Sequence, residues 1–405
     1  CRLLVDAASE NLPEGWIISK RTRLSFSNES SRIVLSLNEK MPPKDTTVVD
    51  FEAPSLDIWN YDAQILPPMY KASARQGSLS AVVPLSPEGG LKVLSLNPND
   101  RIQYPAGAEA PYALSINTDP YVMQNFFAAN NRSDVSIVDI ASGSRTLLFE
   151  ALEGSVMLSA YGRYLMHFDS SEGNWICTDI SSGVSVNLTA GLGVPFYDTE
   201  DDHPCPLMSV SQPQWVGEDE AVLLCDEWDV WKFSPDGKSK LNLTAGKGRS
   251  EGVVLRPVDF VMRNNPLLYS NIYTYPKKGQ IELSAFCKAD SRNGYGTVDI
   301  NKPSKLNYSL YEKSFSSVRR APMGKTLSFT MGDYHNPMDL YVSASGSMKD
   351  AEKLTAINPQ QQDYLWGDVR MVHWNAYDGT PLKGLLFTPE NLDTAASYPM
   401  MIYFY

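Results

Sequence analysis

Apolar residues along this chain come in short runs rich in β-branched and aromatic side chains, broken by Gly, Pro, Asn and Ser-Gly pairs. That is the pattern of strands and tight turns, not of helices, whose apolar positions would recur at three- and four-residue spacing. Strands are predicted at residues 32–37, 79–83, 92–96, 135–140, 164–168, 175–180, 221–225, 230–233 and 327–331. No long amphipathic helix is predicted, and residues 2–6 already read as a strand. Many short strands at this spacing suggest a sandwich, a barrel or a repeated sheet.

Internal repetition chooses among these. Asn187-Leu188-Thr189-Ala190-Gly191 recurs unchanged as Asn242-Leu243-Thr244-Ala245-Gly246, and each copy follows a Trp-bearing strand and a turn glycine, Gly183 or Gly237. Weaker echoes run from Val138 to Gly143 before Thr146-Leu147, and from Leu340 to Gly346 before Leu354-Thr355. Units of about 40 to 50 residues with several strands each are the signature of propeller blades. Each Asp-x-x-Ser-Gly turn is predicted to join the two outer strands of a blade, with alternate side chains buried against both neighbouring blades. About six such units are legible, with part of another at the N-terminus. A ring of seven or eight blades in the whole protein is expected.

The pattern changes from Gly367. Residues 369–374 read as a strand, 377–380 as a turn, 381–387 as a second strand, and 398–405 as an unbroken apolar strand. A continuously apolar strand suits a sheet covered on both faces, as in α/β folds. The expected domains are therefore a β-propeller over residues 1–366, lacking its N-terminal part, and the truncated start of an α/β domain over 367–405.

Composition narrows the function. The net charge of −12, with no Lys/Arg cluster, argues against nucleic acid as a partner. No run of about 18 apolar residues could cross a bilayer as a helix. Five scattered cysteines, with no Cys-x-x-Cys and no His at ligand spacing, make a zinc site or a dense disulfide framework improbable, and no cofactor is expected. Cys1 could be a processed lipoprotein cysteine, but a fragment boundary is the preferred reading. An extracytoplasmic setting is slightly favoured over a cytoplasmic one.

The run from Trp374 through Tyr377-Asp378-Gly379-Thr380, Gly384 and Pro389 to Leu392, followed by Tyr398-Pro399 and the apolar stretch to Tyr405, resembles the start of the catalytic domain in serine peptidases of the prolyl oligopeptidase (S9) family. Pro337 to Val342 and Leu354-Thr355 with Asn358-Pro359 resemble the last blade and its exit. Over residues 1–336 the resemblance is architectural only, and it leaves the dipeptidyl-peptidase-IV-like and acylaminoacyl-peptidase-like branches open. It implies a propeller that gates short peptides to a hydrolase site, where a serine activated by His and Asp forms an acyl-enzyme. It also leaves a homodimer open for the intact enzyme. The alternative is a non-catalytic propeller that binds protein or peptide partners.

The catalytic elbow of that family, Gly-x-Ser-x-Gly, occurs nowhere in the chain. The four histidines, His167, His203, His335 and His373, all precede the place of the family's serine, whereas its catalytic His comes last. This chain alone is thus expected to be inactive. Tyr405, by its offset from Tyr398-Pro399, is the candidate oxyanion-hole tyrosine. Glu200-Asp201-Asp202-His203 could ligate a cation, but a solvated loop is the preferred reading. Glu218-Asp219-Glu220 sits at a turn where charge is expected to face water. Trp228-Asp229 lacks the Gly-His partner of a WD40 repeat. Trp59, with Asp57 and Tyr61, is expected to pack in the core or a blade, with a surface lining the domain interface as the alternative.

Overall fold

In a computed structural model of the chain, the described residues are 3–18, 22, 24–41, 47, 49, 58–61, 77–86, 89–105, 109–128, 131–261 and 274–404. Strands form at the predicted segments from 32–37 to 327–331, the one at 92–96 over its first two residues only, and they assemble in sequence order into successive antiparallel sheets. The first sheet has β1 (Trp16–Ile17), β2 (Ser25–Phe26), β3 (Arg32–Glu39), β4 (Ser78–Pro84) and β5 (Lys92–Val93). The second has β6 (Arg101–Gln103), β7 (Tyr112–Asn117), β8 (Arg132–Asp139) and β9 (Arg145–Glu153). The third has β10 (Val156–Leu158), β11 (Tyr164–Asp169), β12 (Asn174–Asp179) and β13 (Ser185–Asn187). In the fourth lie β14 (Gln214–Val216), β15 (Ala221–Cys225), β16 (Val230–Phe233) and β17 (Lys240–Asn242). The fifth comprises β18 (Val253–Val258), β19 (Gln280–Cys287), β20 (Asn293–Asp299) and β21 (Lys302–Tyr311). The sixth comprises β22 (Ser314–Arg320), β23 (Leu327–Gly332), β24 (Asp339–Ser343) and β25 (Glu352–Lys353). A hairpin of β26 (Asp368–Asn375) and β27 (Pro381–Thr388) follows.

The α-helices among the described residues are short, α1 (Val122–Phe127) and α2 (Lys247–Glu251). Consecutive four-stranded meanders of this kind are the repeating unit of β-propellers. Residues 3–6 differ from expectation, since they form no strand; Leu4 and Val5 instead pack as loop side chains against the first sheet.

The described residues divide into two compact units. The first is drawn mainly from residues up to Ala245 and holds the first four sheets; the second runs from Gly246, apart from short returns to the first at 274–279 and 299–303. Within the first unit, period-two alternation sends neighbouring residues of one strand to opposite faces. Leu165 of β11 joins Leu114, Ile116 and Val135 of the second sheet. Met166 and Phe168 join Val222, Leu224 and Phe233 of the fourth. Trp175 meets Phe168 edge-on at 5.2 Å, and both are fully buried. In the second unit, Phe260 and Val318 pack with Leu327 and Phe329 of the sixth sheet.

The repeated Leu-Thr pair is explained by its hydrogen bonds. Thr189 Oγ accepts from Trp175 N at 3.0 Å and donates to Asn174 Oδ1 at 2.9 Å. Thr244 Oγ accepts from Val230 N at 3.1 Å and donates to Asp229 Oδ1 at 2.6 Å. Thr355 Oγ accepts from Leu340 N at 2.9 Å and donates to Asp339 Oδ1 at 2.8 Å. In each case an Asn or Asp at the head of the third strand and a Thr just after the fourth lock the outer edge, satisfying an amide that the ladder leaves over.

The outer-strand turns also follow the predicted chemistry. Asp139 Oδ1 accepts from Ser142 N at 2.7 Å, and Asp179 Oδ1 from the Ser181 hydroxyl at 2.5 Å. These donors hold both carboxyls below their usual range. Gly143 and Gly183 close the turns at φ of 76° and 71°, a left-handed conformation that glycine adopts without a steric penalty.

Candidate functional site

The second unit concentrates polar chemistry where the sixth sheet gives way to the hairpin. Asp339, at the head of β24, is buried yet accepts from Thr355 and, at 2.8 Å, from Ile357 N. Its other oxygen pairs with Lys353 Nζ at 2.6 Å; that ammonium holds the Asp339 carboxyl down, and Asp339 holds Lys353 up. Beyond Lys353 the chain passes a 3₁₀ turn (Pro359–Asp363) and reaches β26. A cleft of about 520 Å³ opens here, lined by His335, Asp339, Lys353, Trp366, Asp368 and Glu390. Three carboxylates against one ammonium favour cationic or hydrogen-bond-donating groups over anions. His335 Nε2 lies 3.1 Å from the Gly367 carbonyl oxygen and 3.4 Å from Asp368 Oδ1.

The hairpin that forms the cleft's far side is apolar on both faces. Its register pairs Val369 with Phe387 and Met371 with Leu385 on one face, and Trp374 with Leu382 on the other. Trp374 lies over Gly384, where a Cβ would come within 3.0 Å of the ring. The turn is as predicted: Asp378 Oδ1 accepts from Thr380 N at 3.0 Å and Gly379 takes φ 88°. Leu385 and Phe387 stay exposed. A two-stranded ribbon is marginal by itself, and apolar residues on both faces mark a sheet meant to be covered on both sides. The expected strand at 398–405 does not form over its described residues: 398–404 are irregular and exposed, with Met401 95% exposed. A strand requires a neighbour for its amides and carbonyls, however apolar its sequence.

Tyr405, the candidate oxyanion-hole residue, lies outside the described residues, as does Asp57. The histidines are dispersed: His167 on β11, tilted against Phe149 at 4.9 Å; His203 on an exposed loop; His335 on the β23–β24 loop; His373 on β26. Burial lowers the His167 pKa. Glu200 to His203 is an exposed loop, as expected. His203 Nδ1 is 2.6 Å from Asp201 Oδ1, a pairing that raises the imidazole and lowers the carboxyl.

Two expectations are corrected. Asp219, expected to face water, is only 3% exposed. It accepts from the Ser159 hydroxyl at 2.5 Å and from Tyr161 N at 3.2 Å, so it anchors the β10–β11 turn of the preceding sheet. Burial raises its pKa despite these donors. Trp59 and Tyr61, expected to pack in the core or a blade, are 64% and 97% exposed. Asp229 of the Trp228-Asp229 pair serves the Thr244 lock. Sequence reasoning missed the Asn/Asp partners of the locks, although the spacing of 15 residues in Asn174/Thr189 and Asp229/Thr244 was there to be read.

Fold and site together define a mainly β protein of serial four-stranded antiparallel sheets, the blade unit of propellers, that continues into a hairpin built for burial. No protein-family model and no curated protein matches the chain. Among solved structures it is similar to a prolyl endopeptidase, at 12% identity and TM-score 0.48, covering 91% of this chain and 47% of that one. A putative dipeptidyl aminopeptidase IV from Bacteroides ovatus aligns at 13% identity and TM-score 0.47, covering 96% and 49%. Dipeptidyl peptidase 4 from Porphyromonas gingivalis aligns at 9% identity and TM-score 0.45, covering 93% and 43%. The chain spans about half the length of these proteins.

Proposed function

We propose that this chain is the propeller portion, residues 1–366, and the opening hairpin, within 367–405, of a serine peptidase of the prolyl oligopeptidase type. In that enzyme the propeller gates short peptides to a hydrolase site. The observation that carries the reading is the hairpin β26–β27. It follows directly on the last four-stranded sheet, carries the Asp378-Gly379 turn and Pro389 of the resemblance, and presents apolar residues on both faces. Such a ribbon suits the edge of a larger covered sheet and has no role in a free-standing blade.

Tyr405 is then the oxyanion-hole donor of the intact enzyme, and the nucleophile, acid and His come from elsewhere in it. The test is hydrolysis of aminoacyl-prolyl and N-acylated chromogenic substrates. The intact protein should turn them over and the 405-residue chain should not. Turnover by the purified chain that a serine-directed organophosphate blocks would overturn the reading.

A further inference from the structure

The tip of the β23–β24 loop and the approach to β26 are joined by reciprocal hydrogen bonds. Tyr334 OH donates to the Trp366 carbonyl oxygen at 3.1 Å, and Trp366 Nε1 donates back to the Tyr334 carbonyl oxygen at 2.7 Å. The Tyr334 ring also packs on Phe387 of β27, with centroids 5.6 Å apart. Around this pair, Gln361 Nε2 donates to the His335 carbonyl oxygen at 2.9 Å, and Trp366 N donates to Glu390 Oε2 at 2.9 Å. The tip is itself held rigid, because Asp333 Oδ1 accepts from His335 N at 2.9 Å and Asn336 N at 2.8 Å while Oδ2 pairs with Lys313.

These contacts differ from those that hold the sheets together. Apart from the Tyr334–Phe387 ring contact they are polar, they are half-exposed, and no ladder runs between β24 or β25 and the hairpin. Immediately after Trp366 stands Gly367, at φ 82°, where a side chain would meet the Thr388 carbonyl oxygen. A residue that combines left-handed backbone with such a close approach is a natural pivot. Bonds of this kind have low opening free energies compared with the buried ladders.

We propose that Tyr334 and Trp366 form a releasable clasp that holds the hairpin β26–β27 on the sixth sheet, with Gly367 as its pivot. The clasp stands on this geometry alone. Under the peptidase reading it would set how the hydrolase edge is carried on the propeller, but its test does not involve catalysis, so the two can fail separately.

The test is amide hydrogen exchange on the 405-residue chain, comparing wild type with Tyr334→Phe, which keeps the ring, and Trp366→Phe, which removes the indole donor. Each variant should exchange about three- to tenfold faster in peptides covering 364–368 and 381–388, the loss expected for one net hydrogen bond. Peptides from β11 and β12 should not change. Gly367→Ala should accelerate the same two segments by displacing the pivot. Unchanged exchange at 364–368 in both hydrogen-bond variants, or a rise shared equally by β11 and β12, would overturn the clasp.

Discussion

Thr244→Val tests whether the repeated Leu-Thr pair is a structural lock. Valine keeps the shape of threonine, so the cost is that of the hydroxyl alone. Thr244, Asp229 and Val230 are all buried, and the hydroxyl both donates to the Asp229 carboxylate and accepts from Val230 N. Losing a donor to a charged group costs about 1.5–3 kcal/mol, and a buried N–H left without its acceptor about 1–3 kcal/mol, so roughly 3 kcal/mol is expected. At about 1.4 kcal/mol per decade that is on the order of a hundredfold in local opening. Thr189→Val should cost about 1 kcal/mol less, because its partner Asn174 is neutral. Thr355→Val should cost the least, since Leu340 is exposed and Asp339 keeps Lys353 and Ile357 N. A chain of two compact units does not unfold in one cooperative step, so amide exchange in β16 and β17 is the readout rather than a global midpoint. An effect of Thr244→Val no larger than that of Thr355→Val would refute the lock.

Asp219→Ala should free the Ser159 hydroxyl and Tyr161 N, accelerating exchange at the β10–β11 turn with a local loss of about 2 kcal/mol. The Ser234 hydroxyl and Lys238 hold the Asp236 carboxyl down to about 2, below its unfolded value, so its contribution is full above about pH 4 and fades as pH falls toward 2. Asp236→Asn should therefore flatten that part of the pH dependence of local stability, read as amide exchange at the β16–β17 turn. Burial pushes the Cys177 thiol up to about 12, so Cys177 should resist thiol reagents at pH 8 until the chain is unfolded, and rapid labelling of the native chain there would contradict its placement. Under the peptidase proposal, Tyr405→Phe in the intact protein should lower kcat by about 10² to 10³ with little change in substrate binding; a fall of less than about fivefold would leave Tyr405 no catalytic part.

Much of the fold was legible because its signals are local. Short apolar runs at residues 164–168 and 221–225, Asp and Ser-Gly at the turns, and the repeated Asn-Leu-Thr-Ala-Gly each act within a few residues. Errors arose where the outcome depends on distant partners. Residues 398–404 are apolar enough for a strand but stay exposed and form none, and Leu4 and Val5 find a packing surface without a ladder. Asp219 looks like any acidic turn residue until the Ser159 turn of another sheet closes over it. The Tyr334–Trp366 clasp joins residues 32 apart, with no periodicity to announce it. The candidate site was legible only through the Asp378-Gly379 hairpin. Its cleft depends on how the chain between β25 and β26 folds back, which spacing does not encode.

The peptidase proposal puts a reactive serine outside these 405 residues. Labelling the intact protein that carries this chain with a fluorophosphonate, and mapping the modified residue by mass spectrometry, tests that directly. The predicted result is one labelled serine, in a Gly-x-Ser-x-Gly sequence outside residues 1–405. A label on a serine within these 405 residues, or no labelled serine in the folded protein, would contradict it.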